Sequence, residues 1–219
     1  MSLLEFARGP ALQAGIAIFV FGVTWRLLAL LLLPRLRERS VARPGSPPAV
    51  WAGLREIGRR SLPWTGLPKA SLFGTLNGYV FHLGIAIVVF GLAQHIVFIR
   101  GLFGVAWPNL SSNLVNAVAI VTVASMLAAL ARRIASPVLR LLSNVDDYLS
   151  WLLAFLPVIT GVAAVAHLGA RYETLLAAHI LSVALFLAWF PFGKLMHAFL
   201  VFVTRAQTGA FFARRGAEA

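Results

Sequence analysis

Five long apolar stretches constrain this chain more than any other feature. A helix needs about 20 apolar residues to cross the hydrocarbon of a bilayer. Five segments meet that length: Pro10 to Leu33, Leu72 to Ile99, Leu114 to Ala131, Tyr148 to His167 and Leu175 to Val203. Backbone N–H and C=O groups find no water there, so each such segment is expected to be helical. The expected fold is all-α: one integral membrane domain over residues 1–219, a bundle of five transmembrane helices. The second and fifth stretches exceed a straight crossing, which predicts tilting or bending. Pro191 lacks a backbone donor and predicts a kink in the fifth. The first stretch is too long for a cleaved secretory signal, and a basic run follows it, so it is expected to remain as an anchor.

The charges supply an orientation. Only 12% of the residues are charged, about half the usage of a soluble domain, which excludes a soluble globular fold. The net charge of +12 would suggest nucleic acid in a soluble protein. Here the basic residues sit between apolar runs, so membrane topology explains them and no nucleic-acid partner is expected. Eight lie between the first two stretches, namely Arg35, Arg37, Arg39, Arg43, Arg55, Arg59, Arg60 and Lys69. Arg132, Arg133 and Arg140 follow the third, and Arg205, Arg214 and Arg215 follow the fifth. The opposite side holds only Arg8, Arg100 and Arg171. The positive-inside rule then puts the N-terminus outside and the C-terminus in the cytoplasm.

The long loop from Pro34 to Ser71 begins rich in Pro, Ser and Arg, which predicts irregular structure. From Ala49 to Leu62 it turns amphipathic, with Trp51, Leu54 and Ile57 able to share a face and Arg55, Arg59 and Arg60 turned away. Such a segment suits anionic lipid or a cytoplasmic partner.

The chain has no cysteine, which excludes thiolate-held iron–sulfur clusters and covalent C-x-x-C-H haem. Its five histidines, His82, His95, His167, His179 and His197, all lie within or at the edge of apolar stretches. An ionisable residue inside a membrane is expensive and by default functional, although a neutral histidine bonded to a neighbouring helix is the plain alternative. The second stretch carries His82 and His95, and the fifth, running back, carries His179 and His197. Antiparallel packing brings His82 level with His197 and His95 level with His179. Each pair can clamp one haem iron through both axial positions, as in b-type cytochromes. The separations along the two helices, about 20 Å and about 27 Å, do not match, and on an ideal helix His82 and His95 point about 140° apart. Zinc needs three or four ligands converging on one point, which two separated pairs do not provide. Arg26, inside the first stretch, is a candidate partner for a haem propionate, with snorkelling to the interface as the alternative. Gly74, Gly78, Gly84 and Gly91 thin the second helix, for a macrocycle or for close helix packing.

Two stretches carry a family resemblance. Phe81-His82-Leu83-Gly84-Ile85 followed by Phe90-Gly91, and His179 to His197 with Phe190-Pro191-Phe192-Gly193-Lys194-Leu195-Met196-His197, resemble the histidine helices of the gamma subunit of membrane-bound respiratory nitrate reductases. The resemblance covers about fifty residues. It implies a subunit with two haem b groups in a five-helix bundle. The inner haem, on His82 and His197, exchanges electrons with a cytoplasmic iron–sulfur subunit; the outer, on His95 and His179, exchanges them with quinol. The family has a histidine where Leu92 stands here, and a quinol-serving lysine absent from Pro108 to Asn116. These departures suggest a relative serving another redox complex. His167, at the outer end of the fourth stretch, is a candidate quinol proton acceptor or an alternative to His95 as ligand.

The expectation is therefore a dihaem cytochrome subunit of a respiratory oxidoreductase in a bacterial or archaeal cytoplasmic membrane. It would link the quinone pool to cytoplasmic iron–sulfur and catalytic subunits. A proton-coupled transporter and a non-redox anchor are the alternatives. No inverted repeat favours the first, and the second leaves the aligned histidines without a role.

Overall fold

A computed structural model describes residues 1–33, 41–61 and 69–217. Residues 34–40, at the start of the basic loop where irregular structure is expected, lie outside the described residues, and residues 41–48 form no helix or strand. Five helices are long and apolar enough to cross a membrane: Leu3–Leu32, Ser71–Gly91, Ser112–Ala135, Val145–Val165 and Tyr172–Trp189. No strand occurs among the described residues. The spans bury little of their own length, and side chains such as Phe21, Leu32 and Val97 stand exposed. Apolar surface of this extent on long helices requires lipid as solvent, so the chain is a multi-pass membrane protein.

The first span opens with α1 (Leu3–Phe6), held by a capping box between Ser2 and Glu5. A π-turn at Ala7–Ala11 accommodates Pro10, and α2 (Leu12–Leu32) completes the crossing. After it come α3 (Ala49–Ser61) and α4 (Lys69–Gly91). The second stretch then departs from one continuous helix. Leu92 is extended, with φ −77° and ψ 128°, and α5 (Ala93–Phe103) starts afresh. The carbonyls freed at this break are satisfied in other ways. Gly91 O accepts from Leu110 N at 3.0 Å, and Phe90 O accepts from Trp107 Nε1 at 2.6 Å. The third and fourth stretches form α6 (Ser112–Ala135) and α8 (Val145–Val165), with the short α7 (Pro137–Leu142) between them. An Asn144–Asp147 capping box starts α8.

The fifth stretch also divides. α9 (Tyr172–Trp189) ends before Pro191, a 3-10 turn covers Lys194–Met196, and α10 (His197–Arg215) follows. What the sequence predicts as a kink is thus a full break, packed rather than loose. Pro191 and Met196 are fully buried, and Gly22 of α2 leaves room for the Pro191 ring. Phe190 meets Phe19 at 5.1 Å and Phe199 at 5.8 Å in edge-on contacts.

Outside the spans, α3 and α10 pack together where the glycines Gly53 and Gly209 allow close approach. α3 covers Ala49–Ser61 of the segment expected to be amphipathic over 49–62, and residue 62 lies outside the described residues. It buries Ala52, Gly53 and Glu56 against α10 and leaves Trp51 and Leu54 exposed. Within the bundle, α2 packs on α9, α9 on α8, α8 on α6 and α6 on α4. Asn77 of α4 ties the last contact, bonding Ser125 O at 3.0 Å and Ser125 Oγ at 2.7 Å. α2 and α4 stand at the two ends of this row, and α4 and α9 share no extended packed interface.

Candidate functional site: two histidine pairs

α4 packs on α6 through Gly84, whose missing side chain admits Thr122. His82 lies about 160° around the helix from Gly84, so it points away from α6. Its imidazole faces that of His197, the first residue of α10, with ring centres 6.1 Å apart and planes at 85°. This pair lies at the basic end of the bundle. There Tyr79 of α4 donates to Ser61 O of α3 at 2.9 Å, and Arg205 of α10 bonds Ser61 Oγ at 2.9 Å.

The second pair lies beyond the two helix breaks. His95, in the first turn of α5, faces His179 of α9, again with ring centres 6.1 Å apart, and here the planes are at 19°. The break at Leu92 removes the angular conflict, because His82 and His95 are not on one straight helix. Each histidine-bearing stretch leaves its axis between its two histidines, which also relieves the mismatch in their separations. Gly161 of α8 makes room for the His179 ring, since a Cβ there would stand 3.2 Å from its Cε1.

All four imidazoles are oriented in the same way. Nδ1 of His82 is 2.7 Å from Gly78 O and Nδ1 of His95 is 3.0 Å from Val88 O. Nδ1 of His179 is 3.0 Å from Pro157 O and Nδ1 of His197 is 2.8 Å from Lys194 O. A carbonyl only accepts, so each Nδ1 carries the proton and donates it. Nε2 is then the nitrogen with a free lone pair, and none of the four makes a hydrogen bond among the described residues. This backbone bond is the arrangement that fixes tautomer and ring direction in histidines that bind metals.

The spacing suits one atom between two rings. With nitrogen–metal bonds of about 2 Å and a ring centre about 1 Å behind each nitrogen, two imidazoles on opposite sides of one metal stand about 6 Å apart. Both pairs meet that value. Around His82 there is also open space: a Cβ at Gly78, one turn away on the same side of α4, would touch nothing within 4 Å. Of the glycines singled out in α4, Gly84 instead serves helix packing, Gly74 adjoins Arg132 and Gly91 adjoins Leu110.

Two other sequence candidates stand apart from the pairs. His167 lies in the turn after α8 with φ 54°, a left-handed conformation uncommon outside glycine. Its Nδ1 is 3.1 Å from Val165 O, and its ring stacks on Tyr172 at 5.3 Å. Arg26 is exposed on α2 and makes no hydrogen bond or ion pair among the described residues.

One group escaped the sequence reading. Asp146 and Asp147, in the first turn of α8, both bond Lys194 in the break before His197. In the sequence they look like ordinary acidic residues at a helix start. The capping pattern Asn144-x-x-Asp147 was the available signal.

No family model matches the chain, and no solved structure matches it. It is 32% identical over 220 residues to a protein of Nitratidesulfovibrio vulgaris, described simply as "Protein", and the match covers 98% of this chain and 96% of that one.

Proposed function

We propose that this chain, which belongs to the same family as the Nitratidesulfovibrio vulgaris protein, is a dihaem b-type cytochrome subunit of a respiratory oxidoreductase. It would carry electrons across the cytoplasmic membrane of a bacterium or archaeon, between the quinone pool and a cytoplasmic iron–sulfur partner. The observation that carries this reading is the pairing itself: two pairs of imidazoles, each with centres 6.1 Å apart and each Nδ1 held by a carbonyl.

In this reading His82 and His197 hold the haem at the basic end, and His95 and His179 hold the other. When bound, haem supplies a one-electron carrier at each site. The residues of the chain do the rest. The four carbonyls accept from Nδ1 and so keep each Nε2 unprotonated. Two sites at two depths divide a crossing that hydrocarbon alone would not conduct. The basic end, where α3 and α10 pack, is the side for the iron–sulfur partner, as its excess of arginine suggests. The opposite end is the quinone side. There His167 is the proposed proton acceptor from quinol, because its Nδ1 donates to Val165 O and leaves the Nε2 lone pair to accept. Arg26 is the proposed propionate partner from α2.

The test is haem content. The purified chain, expressed in haem-replete cells, is expected to show a reduced b-type spectrum and two haems per chain. His82→Ala or His197→Ala is expected to remove one haem and spare the other; His95→Ala or His179→Ala is expected to do the converse. A colourless wild-type protein would overturn the proposal.

A further inference from the structure

The break between α9 and α10 presents His197, and a polar knot from α8 holds that break in place. Lys194 Nζ bonds Asp147 Oδ2 at 2.5 Å, and the Lys194 backbone N–H points to Asp146 Oδ1 at 3.3 Å. The same residue offers its carbonyl to His197 Nδ1 at 2.8 Å. Lys194 is therefore held at both its side chain and its backbone, and it is the residue that orients the imidazole. The carboxylates are themselves fixed. Asp147 pairs with Arg133 at 3.3 Å and closes the capping box with Asn144, while Asp146 Oδ1 accepts from Ser150 Oγ at 2.7 Å. Ser150 in turn accepts from Trp189 Nε1 at 3.2 Å, on the α9 side of the break. Both sides of the interruption are thus tied to one turn of α8. The other three paired histidines take their carbonyls from Gly78 and Val88 within α4 and from Pro157 within α8. Among the described residues, only the carbonyl that serves His197 belongs to a residue held by an ion pair.

We infer that Asp147 and Lys194 form a positioning clamp for the His197 imidazole. The pair sets the ligand geometry of the basic-end site alone. This inference rests on the dihaem reading for its spectroscopic consequence, but not for the clamp itself.

Two measurements separate the two. The first is hydrogen exchange of the Lys194 and Met196 amides in the full-length wild-type chain, in Asp147→Asn and in Lys194→Met. Asparagine keeps the size and one capping oxygen but loses the charge. Exchange of these amides is expected to rise by at least about tenfold in both variants, and to stay at the wild-type rate in Lys194→Arg, which keeps the pair. Unchanged exchange in Asp147→Asn and Lys194→Met would overturn the clamp. The second is low-temperature electron paramagnetic resonance of haem-loaded protein. Both disruptive variants are expected to convert one low-spin signal to high spin and leave the other unaltered, with Lys194→Arg retaining both. Two unaltered low-spin signals alongside raised exchange would overturn the link to the ligand. A haem-free wild type with raised exchange in the variants would overturn the dihaem reading and support the clamp.

Discussion

Gly84→Ala tests how closely α4 must approach α6 to hold His82 in register. A Cβ at Gly84 would fall well inside van der Waals contact of Thr122 Oγ1 and 3.1 Å from Thr122 Cβ, whereas comfortable contact needs about 3.5 Å or more. Thr122 has little room to yield. It is fully buried, and its hydroxyl donates to Val118 O at 2.7 Å; as a β-branched residue in a helix it has few rotamers. The strain must therefore move α4 away from α6, at a cost of about 1–3 kcal/mol. Because His82 lies nearly opposite Gly84 on the helix, the movement pushes its ring towards His197 and closes the gap between them. Unfolding by SDS in mixed micelles, followed by circular dichroism, measures the cost. Gly84→Ala is expected to lower stability by about 1–3 kcal/mol. Adding Thr122→Ala restores the lost space, so the double variant is expected to recover at least about 1 kcal/mol as coupling. A single variant within about 0.5 kcal/mol of wild type, or a double variant whose two effects simply add, would refute this account of the α4–α6 contact.

Two further outcomes follow from the same geometry. Gly161→Val places branched carbon against the His179 ring, already 3.2 Å from where a Cβ would stand. It is expected to abolish ligand binding at the His95–His179 pair and leave the His82–His197 pair intact, read from the separate spectral components of the two sites. The α3–α10 pair should loosen in acid. Glu56 packs beside Gly209, and the hydrogen bond from Arg59, helped by Arg60, holds its carboxyl below the ordinary 4.5 although burial opposes this. A depressed folded-state value contributes stability above the unfolded value, and that stability disappears as pH falls through the folded value. Trp51 fluorescence is expected to report detachment of α3 only below about pH 4.5, and Glu56→Gln to remove that pH dependence. Detachment that follows the same pH profile in both proteins would contradict this assignment.

The spans were legible because they depend on composition: a stretch that enters hydrocarbon must be apolar and internally bonded. The histidine pairing was legible from antiparallel order alone. The breaks were not. Nothing about a leucine at position 92 announces extended backbone. It is tolerated because Leu110 N and Trp107 Nε1, contributed by the following loop, satisfy the carbonyls it frees. Those partners are tertiary, and an ideal-helix projection of His82 and His95 leaves them out. Pro191 did signal a disturbance, but its extent was set by Phe19 and Gly22 of a distant helix. Asp146 and Asp147 were visible in sequence only as helix-start acids. Their second partner, Lys194, lies 47 residues from Asp147, and only the fold joins them.

The most direct test of the whole account is the location of iron. Anomalous scattering at the iron edge, from crystals of the protein purified from haem-replete cells, is expected to give two peaks per chain. One should lie about 2 Å from Nε2 of both His82 and His197, and the other about 2 Å from Nε2 of both His95 and His179. A map without iron at either position, with the imidazoles meeting only protein or water, would contradict it.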